Sequence, residues 1–127
     1  MADPILEEFV RKYVKKEKQE RLLWELGNAR KRQSVFWRFA GPNIFKNACL
    51  HSISYMNGET LKKELFKSDK AEAVYYIGES HIGILSIESA IEKASMGEIC
   101  IIYCKHGIAY YQGEQDAGNT PRFILRT

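Results

Sequence analysis

The sequence predicts an α+β fold: a single compact domain with a mixed, mostly antiparallel sheet ending in a C-terminal β-hairpin, packed by a long N-terminal helix and a second helix near 86–96. Three observations carry this. Two apolar runs at 99–103 and 108–111 flank a turn-like Lys105-His106-Gly107, and their isoleucines, tyrosines and cysteines suit a pleated buried surface. Apolar residues recur at helical spacing over 3–28 and again over 86–96. Strands alternate with helices and then run consecutively, with no repeat and no Gly-, Pro- or Ser-rich linker to divide the 127 residues.

Taken in order, residues 3–28 read as one amphipathic helix. Asp3 is the expected N-cap with Pro4 at the first helical position. Ile5, Leu6, Phe9, Val10, Tyr13 and Val14 form one stripe, Lys15 to Arg21 is polar all round, and Leu22, Leu23, Trp24 and Leu26 restore an apolar patch before Gly27-Asn28. Two greasy patches joined by a solvated turn predict a helix docked at both ends or one that partly protrudes. A protruding helix would present Phe9 and Tyr13 to a second copy of the chain.

The segment 34–39, SVFWRF, alternates Val35, Trp37 and Phe39 against Phe36 and Arg38 and reads as a strand. Gly41-Pro42-Asn43 is a turn, residues 44–50 fit either a short helix or a strand, and 51–55 read as a strand. A short helix is expected over 59–67, a strand over 73–77 and a loop over 78–85. Ser86 is the expected N-cap of the next helix, which buries Ile87, Ala90, Ile91 and Ala94 and stops at Gly97. In the hairpin's first strand both faces are apolar, so both must be covered. A loop at 115–120 and a last strand over 122–125 finish the chain.

Composition bounds the function. With 45% hydrophobic and 28% charged residues, the chain belongs with ordinary globular proteins. No apolar run approaches the roughly 18–20 residues of a membrane span. Met1 to Ile5 carry no basic leader ahead of an apolar segment, and three cysteines are an odd number. A cytoplasmic home with free thiols follows as the expectation. The net charge of +3 is uneven: residues 1–40 hold ten Lys or Arg against six Asp or Glu, while the remainder is slightly acidic. An anionic partner suits that asymmetry.

Three stretches offer sites, and between them they support four readings. The outgoing hairpin strand and its turn, with Tyr110, Tyr111, Gln112, Glu114, Asp116, Lys105 and His106, read as a protein-binding surface: consecutive tyrosines face opposite sides of a sheet, so one is expected outside. Arg30, Lys31 and Arg32 beside Trp37 and its aromatic neighbours suit single-stranded nucleic acid, with cations on phosphates and rings on bases. Glu79, Ser80 and His81 lie between two glycines ahead of a helix N-terminus, a place for an anion or ligand, although no Lys-Ser or Lys-Thr completes a phosphate loop. His81, or Cys104 with His106, offers catalytic chemistry without a third group to orient it.

No metal or other cofactor is expected. Cys100 and Cys104 share a strand face but sit about 13 Å apart along it, too far for one zinc, whose ligands lie within about 4 Å of each other. In size and class the chain resembles bacterial accessory and toxin-immunity proteins, which implies a protein-interaction module acting through the hairpin and its flanking loops, with nucleic-acid binding or a small enzyme as the rivals.

Overall fold

A computed structural model describes residues 4–28, 30–31, 35–54, 57–66, 73–104, 108–114 and 120–126. Its core is a six-stranded sheet formed by β1 (Leu50–Ser52), β2 (Ala73–Gly78), β3 (Ile82–Ser86), β4 (Cys100–Cys104), β5 (Ile108–Gln112) and β6 (Arg122–Arg126). The strands lie in the order β1-β6-β5-β4-β2-β3, and all five pairings are antiparallel. The helices are α1 (Pro4–Tyr13), α2 (Lys16–Leu26), α3 (Gly58–Phe66) and α4 (Ile87–Ser95). The α+β architecture expected from the sequence is therefore present.

The expected hairpin, β4 with β5, occupies the middle of the sheet, and every residue of both strands is buried. One face of β4 presents Ile101 and Tyr103 to α1 and α2; the other presents Cys100, Ile102 and Cys104 to α3 and α4. The first layer is strongly aromatic. Phe9 lies 5.5 Å from Tyr103 between ring centroids, and Phe45 lies 4.8 Å from Tyr111. Edge contacts of this kind add roughly 0.5–1.5 kcal/mol each beyond burial. Ser86 caps α4 as expected, its hydroxyl accepting from the Ser89 N–H, and Gly97 takes a φ of 88° that a side chain would resist.

Three expectations need correction. The single helix over 3–28 is two helices, because Val14 leaves the helix to bridge Phe45. The Lys15 N–H donates to the Ile44 carbonyl and the Lys46 N–H to the Tyr13 carbonyl, while the Gln19 amide takes up the released Val14 carbonyl at 2.9 Å. Neither part protrudes. Leu6, Phe9, Val10 and Tyr13 are all buried, so the α1 stripe is spent on the sheet and needs no second copy to cover it.

The segment expected as a strand over 35–39 is instead a 3₁₀ turn, Phe36–Phe39. Val35 and Phe39 point inward while Trp37 is 70% exposed; a strand would have put all three on one face. Residues 44–50, which fitted either state, form two further 3₁₀ turns, Pro42–Ile44 and Asn47–Cys49, that lead into β1. Finally, the expected loop over 78–85 is mostly strand. The Gly78 N–H donates to the His81 carbonyl across a tight turn, and β3 pairs with β2 from Ile82 to Ser86. Gly83, at φ 147°, supplies the backbone that a side chain rarely adopts.

Candidate binding cleft between Trp24 and Trp37

Helix α2 turns Leu22 and Leu26 into the core. The residues two positions from each point the opposite way, which leaves Trp24 61% exposed. Arg21 and Glu25 flank it one turn apart. Beyond α2 the chain reverses: the Asn28 side chain accepts from the Arg30 N–H, the Asn28 carbonyl accepts from Lys31, and the Lys31 carbonyl accepts from Val35. This brings the turn at Phe36–Phe39 back beside α2. An open cleft of about 420 Å³ results, lined by Arg21, Trp24, Glu25, Lys31, Trp37 and Arg38.

The floor of the cleft is an ion-paired Glu25. Its side chain is only 8% exposed, and it receives Arg38 through two nitrogens, Nη2 at 2.8 Å and Nε at 3.2 Å, plus Arg21 Nε at 3.1 Å. Paired bonds from one guanidinium to a carboxylate fix its plane as well as its position. Both arginines thus line the cleft together with two exposed indoles, and with Lys31 the lining carries more positive than negative charge.

The far side of this turn is tied to the sheet. The Tyr111 hydroxyl donates to the Phe39 carbonyl, and the Glu114 N–H donates to the Ala40 carbonyl at 2.9 Å. The end of β5 therefore positions the cleft from behind.

The expected protein-binding surface on the hairpin is not assembled from its tyrosines. Tyr110, Tyr111 and Gln112 are 4%, 0% and 3% exposed. The Tyr110 hydroxyl donates to Gln112, whose amide nitrogen donates to the Ala94 and Glu98 carbonyls. Consecutive tyrosines do face opposite sides, but both sides are covered. Glu114 is exposed, while Lys105, His106 and Asp116 lie outside the described residues.

At the other expected site, Glu79 is exposed and Ser80 is braced: its hydroxyl donates to Glu98 at 2.8 Å and accepts from Lys93 at 3.1 Å. That arrangement ties the β2–β3 turn to α4 and to the start of β4. His81 is partly buried beside Gly83, with no hydrogen bond to Nε2 among the described residues. Cys104 is in the core, and its partner in the catalytic reading, His106, is outside the described residues. The described residues contain no group of three or more His, Cys, Asp or Glu able to hold a metal. Of the four expected nucleic-acid residues, Lys31 and Trp37 meet in the cleft, Arg30 is exposed nearby, and Arg32 lies outside the described residues.

Arg21, Trp24, Glu25 and Arg38 were not anticipated as site residues. A signal for Trp24 did exist: it sits two residues from both Leu22 and Leu26, on the opposite face of any helix that buries them. Comparison of the chain with family models, curated proteins and solved structures returns no match.

Proposed function

We propose that the protein is a small protein-interaction module, of the bacterial inhibitor or toxin-immunity kind, that engages an acidic partner through the Trp24–Trp37 cleft. The observation that carries this reading is two indoles more than 60% exposed that line one cleft with two arginines paired to Glu25. Tryptophan and arginine are the residues that most often dominate the energy of protein contacts, and large exposed aromatics beside one another mark a surface meant to be covered. The excess positive charge steers an acidic face toward it. A cytoplasmic setting completes the proposal, supported by three buried cysteines that are all free. No helix among the described residues is long and apolar enough to cross a membrane.

The meeting of Lys31 and Trp37 in one cleft favours single-stranded nucleic acid as the second reading, since rings stack on bases while cations hold phosphates. The protein reading ranks above it because the cationic track does not continue. Along α2, Lys16, Lys18 and Arg21 alternate with Glu17 and Glu20, which would repel a phosphate backbone running past the cleft.

The two readings part in an affinity capture from nuclease-treated extract of the source cells. Wild-type protein should retain one stoichiometric protein, and a Trp24→Ala/Trp37→Ala variant should lose it. Retention of nucleic acid from untreated extract, with strongly salt-dependent release and no protein, would replace the first reading by the second.

A further inference from the structure

Strand β3 forms one edge of the sheet, and among the described residues no strand pairs with its outer side. The other edge, β1, is only three residues long. β3 is five, Ile82-Gly83-Ile84-Leu85-Ser86, without a charge or a proline to guard it, and unguarded edges of this kind recruit further strands.

Its geometry shows which groups face outward. Gly78 and His81 share a backbone hydrogen bond, and antiparallel pairs alternate between bonded and non-bonded. Pairs Tyr76↔Gly83 and Val74↔Leu85 are therefore bonded, which turns the N–H and C=O of Ile82 and Ile84 toward the open side. The Ser86 N–H follows, while its carbonyl begins α4. Ile84, at the middle of the strand, is also 65% exposed, lying on the α1–α2 face across from Tyr75.

We infer that two copies of the chain pair β3 against β3, antiparallel, about a twofold axis through Ile84. In that register the Ile84 backbones exchange two hydrogen bonds, and each Ser86 N–H reaches the Ile82 carbonyl of the other copy. Gly83 stands opposite Leu85, and the two exposed Ile84 side chains meet and cover one another. The strand itself is uncharged, so no charges on β3 oppose one another across the axis. Its most exposed apolar residue coincides with its central outward-bonding residue, and that coincidence favours a second copy over an unrelated strand. Isologous twofold pairing is also the commonest symmetry of soluble assemblies. This edge is separate from the Trp24–Trp37 cleft, so the two proposals stand or fall apart.

Sedimentation of the full chain up to roughly 100 µM, a range that saturates contacts of useful strength, tests the pairing. Wild-type protein should sediment with the mass of two chains. Ile84→Lys, which sets two ammonium groups face to face, should return it to one. A single-chain mass at every concentration, or an Ile84→Lys protein that keeps the double mass, overturns the proposal. Should that variant fail to fold, amide exchange in unaltered protein decides: at high concentration the Ile84 and Ser86 amides should slow at least tenfold relative to dilute protein. Unchanged exchange, or slowing only when another protein is added, also overturns it.

Discussion

Arg38 holds Glu25 with two nitrogens, at 2.8 and 3.2 Å, although the residues lie on different elements and Glu25 is otherwise almost wholly enclosed. That grip joins the 3₁₀ turn to α2 and fixes the spacing of Trp37 from Trp24. Replacing the carboxylate by an amide separates placement from charge. Glu25→Gln makes the cleft more positive, yet its amide nitrogen cannot accept the Arg38 Nε–H, and its one remaining oxygen holds the guanidinium groups without a charge. We expect partner affinity to fall, together with a stability loss of about 1.5–3 kcal/mol for hydrogen bonds to charged groups, read by urea unfolding and by titration of the partner. Tighter binding by Glu25→Gln would mean that net charge, and not the held geometry, governs recognition.

Tyr111 and Tyr110 provide a matched pair. Tyr111→Phe removes the hydroxyl that donates to the Phe39 carbonyl, and Tyr110→Phe removes the bond to Gln112 on the opposite face. Each should cost about 1–3 kcal/mol. Only Tyr111→Phe should also weaken partner binding, since only that hydroxyl anchors the turn bearing Trp37 and Arg38. Equal binding losses from both variants would point to global destabilisation instead.

Gly78 ends β2 where a side chain has no room. A Cβ there would run into the Tyr76 ring and come within 2.6 Å of the Glu98 carboxylate. Gly78→Ala should therefore destabilise by about 1–3 kcal/mol, the usual cost of overpacking, with the melting temperature as readout. A melt unchanged from wild type would show that this corner yields freely.

Alkaline pH should weaken the fold. Burial pushes the Cys100 thiol from 9.0 up to about 12 and, as the largest cause in each case, raises the phenols of Tyr13, Tyr76, Tyr103 and Tyr111. These acids keep their protons in the folded chain at a pH where the unfolded chain has lost them. Their contribution is thus complete below about pH 9 and declines as pH rises further, by at most ~1.4 kcal/mol per pH unit for each group. The urea midpoint should hold steady from about pH 7 to about pH 8.5 and fall by about pH 10.5. A flat midpoint across that range would contradict the buried environments described.

Much of this fold was legible in the sequence because the signals were local. The β4–β5 hairpin declared itself by apolar residues on both faces, and α4 by Ser86 at one end and Gly97 at the other. What escaped was set elsewhere. The break at Val14 depends on Phe45, thirty-one positions away, and no periodicity within 3–28 contains it. The alternation of Val35, Trp37 and Phe39 fits a strand and a single helical turn equally over five residues. β3 was hidden by Gly83, which reads as a loop residue yet serves a distorted edge strand. The cleft was half legible: Lys31 and Trp37 stood out, but Trp24 was grouped with Leu22 and Leu26 when its spacing placed it opposite them. The tyrosines failed as a surface because alternation says which faces they take, not whether those faces are covered.

The chain has two tryptophans, and both line the cleft, so its tryptophan emission, excited apart from tyrosine, reports on that place alone. In the free protein the emission should be that of solvated indole and readily quenched by acrylamide. Adding the captured partner to stoichiometry should shift the emission to shorter wavelength and suppress quenching at least severalfold, as expected when exposed aromatics become the desolvated centre of a contact. A partner that binds at full stoichiometry and leaves tryptophan emission and quenching unchanged would contradict the assignment of the cleft.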